Sequence, residues 1–227
     1  MFIVSLLFWV IAFIALKGDY KNPVNRWFST TAFFSGFGGI PVVWRENIIP
    51  SIGQNLSDIQ ITVINYVTAI ISTFPYYLAP YAFLMLGLTY SNVIPRKWKK
   101  ILSIILVIPT GLMYIFYPVT QIFRTSFRVL CIWVVPYIII SNILIFLVFI
   151  REKIPAIKRY KLYISLITIP VTMYALTCSY IVPAMGGHGW RYNFYITIFQ
   201  FVVFMYIMVN YGVMGVKLKF EKSNMNT

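Results

Sequence analysis

Acidic residues, histidine and cysteine are scarce in this chain. Its 227 residues include only five aspartates and glutamates, one histidine and two cysteines. A single histidine, His188, cannot build a metal site or a catalytic triad alone, and no His-Glu-x-x-His pattern or glycine-rich phosphate loop occurs. Cys131 and Cys178 fall in apolar runs, where we expect small core residues rather than a disulfide or a metal pair. The sequence therefore predicts no metal, no cofactor and no catalytic residues.

Charge is also missing from the middle of the apolar runs. No Asp, Glu, Lys or Arg lies at the centre of any predicted span, whereas proton and ion pumps usually need buried ionisable groups. This absence argues against coupled transport. His188 lies in the glycine-rich turn of residues 186–191. We expect a solvated loop residue there; the alternative is an external pH sensor, because imidazole titrates near neutrality.

Apolar residues dominate what remains. The chain is 60% hydrophobic and 11% charged, with a mean hydropathy of +0.80. A soluble domain of this length could not bury so much apolar surface. The apolar runs are long and do not alternate, which favours helices over a barrel. The predicted fold class is therefore all-α, an integral membrane bundle.

Seven apolar runs predict seven transmembrane helices. The second run is the weakest, because glycines and a proline lower its helix propensity. The third has an amphipathic or interfacial start up to about Ser72, and we expect kinks near Pro75 and Pro80. The predicted spans cover residues 2–16, 27–44, 73–89, 101–123, 129–150, 162–185 and 192–216.

The basic residues predict an orientation. The net charge is +14, and the lysines and arginines form short clusters between apolar runs, as topology signals do, rather than a nucleic-acid-binding surface. All but four of the 19 lie on alternate loops and the tail; the exceptions are Arg45, Arg124, Arg128 and Arg191. Because basic loops stay in the cytoplasm, the N-terminus is predicted outside and the C-terminus inside.

Aromatic and polar uncharged side chains recur within the predicted spans. Most are expected to form hydrogen bonds between helices or an aromatic belt at the membrane interfaces. The alternative is a pocket near the outer side for an apolar or amphiphilic small ligand. The candidate residues of that pocket are Tyr76, Tyr77, Tyr81, Trp133, Tyr137, Asn142, Trp190 and Asn193.

The last apolar run passes into charged residues without a proline or a turn. Residues 192–216 can cross the membrane as a helix, and the lysines that follow can carry the helix into water. We predict a sensing domain over residues 1–216 and the start of a cytoplasmic signalling helix over residues 217–227. The candidate output residues are Tyr211, Gly212, Gly215, Lys217 and Phe220.

Six phrases in order resemble one protein family. They are NPVNRWF (22–28), PYAFLM (80–85), IWVVPY (132–137), REKIPAIK (151–158), RYN (191–193) and YGVMGVKLKFEK (211–222). Together they resemble the N-terminal seven-span sensing region of bacterial sensor histidine kinases. The resemblance implies a homodimeric receptor of the bacterial plasma membrane, whose last helix continues into a cytoplasmic kinase module. These 227 residues hold no phosphoacceptor or ATP-binding module, so no kinase activity is expected of them.

The leading hypothesis is a membrane-embedded sensing module that passes a conformational change through its last helix. Its expected partners are the lipid bilayer, a second copy of the chain, and an apolar or amphiphilic ligand or a membrane protein, but no nucleic acid. The alternative is a small membrane transporter or channel subunit, which predicts a water-lined path. A membrane-embedded lipid enzyme is disfavoured, because the predicted cytoplasmic segments offer few acids: Asp19, Glu152 and Glu221.

Overall fold

The structure, a computed structural model, describes residues 2–52, 56–116, 127–187, 189 and 193–210. Within these ranges the chain is helical and contains no β-strand, which confirms the all-α class. Three π-helical turns interrupt the described helices, at Trp44–Ile48, Phe74–Leu78 and Thr177–Ile181. The helices are α1 (Phe2–Gly18), α2 (Pro23–Gly36), α3 (Gly39–Val43), α4 (Ile49–Ile52), α5 (Asp58–Thr73), α6 (Ala79–Ser91), α7 (Arg96–Phe116), α8 (Phe127–Arg151), α9 (Pro155–Leu176), α10 (Val182–Ala184) and α11 (Asn193–Asn210).

Four helical segments in the described ranges are long and apolar enough to cross a membrane, not the seven that the sequence predicted. The other predicted spans differ for separate reasons. Helix α1 is apolar but, with 17 residues, is shorter than any of the four. Helix α2 has 14 and ends at Gly36, and the last predicted span, residues 192–216, extends beyond the described residues. The four are Asp58–Ser91, Lys97–Phe116, Phe127–Arg151 and Pro155–Ala184, compatible with a multi-pass membrane protein.

Helices α5 and α6 form one continuous segment with a π turn where the kink was predicted. A capping box starts it, because the Ser57 hydroxyl accepts from the N–H of Gln60 while the Gln60 side chain accepts from the N–H of Ser57. Pro75 lies within the π turn. Asn92, in the left-handed conformation at φ 47°, ends the segment.

Helix α6 is the centre of the bundle. Most of its residues are buried, and it packs against α2 on one side and α8 on the other. Ser141 of α8 donates a hydrogen bond of 2.8 Å to the carbonyl of Phe83. A Cβ added at Gly87 would lie 2.5 Å from the Ser141 hydroxyl oxygen, so the two helices meet through a glycine and a serine.

Helices α1 and α2 form a tight antiparallel pair. Asn22 caps α2 by accepting from the N–H of Val24, and Pro23 occupies the first turn, where its missing N–H is harmless. Ser29 of α2 donates a hydrogen bond of 2.8 Å to the carbonyl of Ala12 in α1. The pair packs on α6 through α2.

Helix α7 lies at the edge of the bundle. Only 11% of its apolar membrane-spanning stretch is buried inside the protein. Its outward side chains, such as those of Ile104 and Ile115, are 67% and 72% exposed. Apolar side chains on this face suit contact with lipid tails. Four hydroxyl hydrogen bonds link α7 to the bundle, formed by Tyr81 to Ser103, Tyr137 to Leu106, Thr110 to Tyr77 and Tyr114 to Thr73.

Helix α9 joins the remaining elements. It packs against α8 and continues through the third π turn into α10. Helix α11 packs against α9 and, less extensively, against α1. The space between α1, α2, α6, α9 and α11 is incompletely filled, and it forms the site described next.

Candidate functional site

A proline leaves two backbone carbonyls of the π turn Phe74–Leu78 without their usual donor. The N–H of Ala79 donates to the carbonyl of Phe74, in the i to i−5 pattern of a π turn. The next residue, Pro80, has no N–H to donate. The carbonyls five and four residues before it, those of Pro75 and Tyr76, therefore need another donor.

Tyr180 supplies that donor from the π turn Thr177–Ile181. Its hydroxyl lies 3.1 Å from the carbonyl oxygen of Pro75 and 3.3 Å from that of Tyr76. The rings of Tyr76 and Tyr180 also meet edge to face, with centroids 5.9 Å apart. The two π turns are thus held side by side. Because π turns often mark functional sites, the space beside them is the first candidate.

Two cavities open beside these turns, and together they form what we call the cleft. The larger cavity has a volume of about 240 Å³ and borders both π turns. The smaller has a volume of about 190 Å³ and extends toward the end of α6. Together they fall within the range of about 300–1,000 Å³ typical of small-molecule sites. The residues that line both cavities are Phe8, Thr31, Ser35, Phe83, Val171, Thr172, Ala175 and Gln200.

The walls of the cleft are apolar with a few uncharged polar groups. Aliphatic and aromatic side chains form most of the lining, and hydroxyl and amide groups the rest. Among the described residues that line the cleft, none is an aspartate, glutamate, lysine or arginine. A buried ion without a partner of opposite charge is strongly disfavoured. The cleft therefore suits an uncharged ligand.

Two polar side chains that line the smaller cavity are not paired within the described part of the chain. The hydroxyl oxygen of Tyr90 is buried and has no hydrogen-bond partner there. The amide of Gln200, on α11, also makes no hydrogen bond with a residue that the structure describes. By contrast, the Tyr180 hydroxyl in the larger cavity is already bonded. Tyr90 lines only the smaller cavity, whereas Gln200 lies on the wall common to both cavities.

Asn142 reaches the cleft through Thr172. The hydroxyl oxygen of Thr172 lies 2.9 Å from the Asn142 amide oxygen and 2.8 Å from the carbonyl of Thr168. A hydroxyl has only one proton, and the amide nitrogen of Asn142 is buried without a partner in the described structure. Turning the amide by 180° would let its nitrogen donate to Thr172 while Thr172 donates to Thr168, and would place the amide oxygen in the position without a partner. Asn142 thus positions Thr172 at the wall of the cleft.

The structure places some of the predicted pocket residues at the cleft and others in helix–helix contacts. Tyr76 lines the larger cavity, and Asn142 contacts the cleft wall through Thr172. The other four described residues form packing and helix–helix bonds instead. The ring of Tyr77 packs on Tyr114, Tyr81 on Trp27, and Trp133 on Tyr137, while the hydroxyls of Tyr81 and Tyr137 bond to α7.

Several predicted residues lie outside what the structure describes. Trp190 and His188 are not described, and neither are the output residues Tyr211, Gly212, Gly215, Lys217 and Phe220. Asn193 begins α11, but its side chain is not described. The predicted output helix therefore stays a prediction.

Sequence reasoning missed most of the cleft. Phe8, Thr31, Ser35 and Phe83 carry no sequence signal that separates them from packing residues, because their role depends on how α1, α2 and α6 meet. Gln200 did carry a signal, since a glutamine within an uncharged apolar run is costly to bury unless something pairs with it.

The end of the bundle opposite the π turns is basic, and an ion pair between described residues lies there. Glu152, between α8 and α9, accepts a hydrogen bond from the ammonium group of Lys161. This bond, together with the backbone N–H of Ile154, lowers the pKa of the Glu152 carboxyl. Glu152 therefore stays ionised and joins α9 to the end of α8.

The described residues offer no other chemistry. Cys131 and Cys178 are free thiols, and no group of three or more His, Cys, Asp or Glu side chains that could hold a metal ion occurs in the described ranges. In comparisons with known proteins, no family model, curated protein or solved structure matches this chain.

Proposed function

We propose that this chain is a membrane-embedded sensing module in which the cleft receives the signal and α11 carries it onward. The observation that carries the proposal is the position of α11. It contributes Thr197 and Gln200 to the cleft, and among the described residues its main packing is on α9 and, less extensively, on α1. A helix held by few neighbours can shift when the cleft fills, whereas α6 is fixed on several sides.

The mechanism is a shift between two packings of α11. A ligand in the cleft touches the central helix through Phe83 and α11 through Gln200 at the same time. If the cleft fits the ligand better in one position of α11, binding favours that position by the difference in affinity. A difference of a few kcal/mol moves most of the population.

The sequence resemblance extends this proposal to the family level. Like the sensing region of bacterial sensor histidine kinases, the module would lie in the bacterial plasma membrane as a homodimer and act on a cytoplasmic output domain. On this proposal α11 continues through Gly215 and Lys217 as the output helix.

The same proposal keeps seven spans, with the N-terminus outside. Helix α1, with 17 residues, is within the range of about 17–25 that crosses a bilayer. Phe28, Tyr90 and Ile164 all line the smaller cavity. The helix ends beside three basic segments (17–26, 96–100 and 151–161) thus lie at one end of the bundle, as the positive-inside rule requires of cytoplasmic loops.

Thiol labelling tests this topology. In a background with Cys131 and Cys178 replaced by alanine, we expect a membrane-impermeant maleimide to label a cysteine at Asp58 on intact cells. A cysteine at Lys153 should react only after the membrane is opened. The reverse pattern, or labelling at both positions, would contradict the proposed orientation.

A fusion to a kinase output domain tests the function. One residue inserted after Gly215 should turn the attached domain by about 100° and change its basal activity strongly. Seven inserted residues should nearly restore the phase and the activity, which serves as the control. Equal activity of both insertions would sink the rigid-helix mechanism. Solute flux through the protein in liposomes would favour a transporter or channel instead.

A further inference from the structure

The cleft is mostly apolar and its described lining is uncharged, and two of its polar side chains, those of Tyr90 and Gln200, predict the chemistry of its ligand. Tyr90 and Gln200 both line the smaller cavity, and Gln200 also lines the larger one. The buried Tyr90 hydroxyl and the half-buried Gln200 amide have no hydrogen-bond partner among the residues that the structure describes. Buried polar groups are nearly always paired. A ligand that supplies the partners is the simplest way to meet this requirement.

We propose that the cleft binds an uncharged chain lipid, with its hydroxyl or carbonyl head group between Tyr90 and Gln200 in the smaller cavity and its chain in the larger cavity. This inference rests on the proposed function, because it names the ligand of the proposed sensing site. The Tyr90 hydroxyl can donate to an oxygen of the head group, and the Gln200 amide can both donate and accept.

The absence of charge on the walls selects against ionised lipids. No lysine or arginine among the described lining residues is available to pair with a carboxylate or phosphate, and no acid with an ammonium group. An ionised head group would have to leave water without a partner. The same chain with a neutral head group loses only hydrogen bonds to water, which Tyr90 and Gln200 replace.

The shape of the cleft accommodates a chain. Ile164 lines the smaller cavity and Ser179 the larger one, and the helix that carries both rises about 22 Å between them. Ala175 lies on the wall common to both cavities. Tyr90 is next to the end of α6 at Ser91, so the head group would lie near the membrane interface and the chain would point into the bundle.

Photoaffinity labelling of the full chain in lipid nanodiscs tests the proposal. The probe is a monoacylglycerol with a diazirine in its chain, and the comparison probes carry the same chain as a free carboxylate and as a glycerol phosphate. We expect the monoacylglycerol to label cleft residues at least about tenfold more than either ionised probe. Equal labelling by all three, or labelling spread evenly over the lipid-facing side of α7, would overturn the proposal.

Two conservative variants locate the head group. Tyr90→Phe and Gln200→Leu keep the side-chain volume and remove one hydrogen-bonding group each, so each should weaken probe binding about fivefold. Their controls are Tyr66→Phe and Phe199→Leu, which change outward-facing side chains and should leave binding unchanged. Unchanged binding in both cleft variants would refute the head-group position.

A blocking variant tests the path of the chain. Ala175→Phe fills the wall between the two cavities and should abolish labelling in the larger cavity, whereas Ile104→Phe on the outer face of α7 should not. If Ala175→Phe failed to fold, the Tyr90 and Gln200 variants would still decide the question. If the probe binds but the kinase fusion does not respond to it, the ligand assignment stands and the sensing function is rejected. If the fusion responds to its stimulus but the probe does not bind, the ligand assignment is rejected and the sensing function stands.

Discussion

At the scale of single residues, one hydroxyl satisfies the acceptors that Pro80 leaves open. Replacing Tyr180 by phenylalanine keeps the ring against Tyr76 but removes the donor to the carbonyls of Pro75 and Tyr76. We expect Tyr180→Phe to lower the free energy of unfolding by about 1 kcal/mol. Unfolding in mixed micelles measures it, with the outward-facing Tyr66→Phe as the control. No difference between the two variants would contradict the role of this hydroxyl.

The contact between Gly87 and Ser141 can be tested by comparing two glycine-to-alanine variants, one in this contact and one in open space. A Cβ at Gly87 would lie 2.5 Å from the Ser141 hydroxyl oxygen and 2.9 Å from its Cα, so α6 and α8 must separate. Gly87→Ala should cost about 1–3 kcal/mol of unfolding free energy. A Cβ at Gly111 meets no atom within 4 Å, and Gly111→Ala should be neutral or stabilise by up to about 1 kcal/mol. Similar costs at both sites would contradict the close approach of α6 and α8.

The ion pair of Glu152 and Lys161 makes stability depend on pH. The pKa of Glu152 lies below its ordinary value of 4.5, chiefly because Lys161 donates a hydrogen bond to it. The stabilisation is therefore complete above that value and is lost as the pH falls through the lowered pKa. Wild type should melt higher than Glu152→Gln at pH 7, and the gap should close in acid. A difference in melting temperature that stays constant down to pH 3 would rule this linkage out. Adding Lys161→Gln to the Glu152→Gln variant should not alter the pH dependence of its melting temperature any further.

At the scale of elements, the predicted and observed helices agree where apolar runs and prolines act locally. The run predicted over residues 129–150 is α8, Phe127–Arg151, and the kink predicted near Pro75 is a π turn. The observed helix and the predicted span differ where charged residues extend the helix beyond the apolar run. Helix α7 starts at Arg96, before the predicted span at residue 101, because a basic first turn at the membrane surface can stay helical.

Helix α7 offers a direct measurement of contact with lipid. A spin label at Ile104, which is 67% exposed, should collide freely with oxygen dissolved in the bilayer and rarely with a water-soluble nickel reagent. A label at Met113, which is 4% exposed, should collide with neither. Strong collision of the Ile104 label with the nickel reagent would place this face in water and contradict the membrane assignment.

At the scale of the whole molecule, composition predicted a helical membrane bundle but could not predict the cleft. Apolar residues that face lipid and apolar residues that pack on other helices have the same composition, so hydropathy alone does not separate Ile104 from Phe83. Of the predicted aromatic pocket residues, Tyr76 lines the cleft, whereas Tyr81 and Tyr137 serve as donors to α7. The site depends on where α9 and α11 meet α1, which is a property of the tertiary structure.

The arrangement of the helices predicts that the bundle survives without α11. In the described part of the chain that helix packs mainly on α9 and α1, so a chain ending at Gly189 should remain folded, as judged by its elution as a single species and by its helical circular dichroism. It should lose binding of the monoacylglycerol probe, because Gln200 is gone. Removing α1, which packs closely along α2, should instead unfold the protein. Aggregation of the shorter chain would show that α11 is part of the core.

The hydrogen bonds that hold α7 have a consequence for which substitutions this helix tolerates. Tyr81 and Tyr137 donate to the main-chain oxygens of Ser103 and Leu106, which every amino acid possesses. The anchoring bonds on that side are thus indifferent to which residue occupies either position. In a saturation mutational scan, the outward positions of α7 should accept almost any apolar side chain, whereas Tyr81 and Tyr137 should tolerate few replacements.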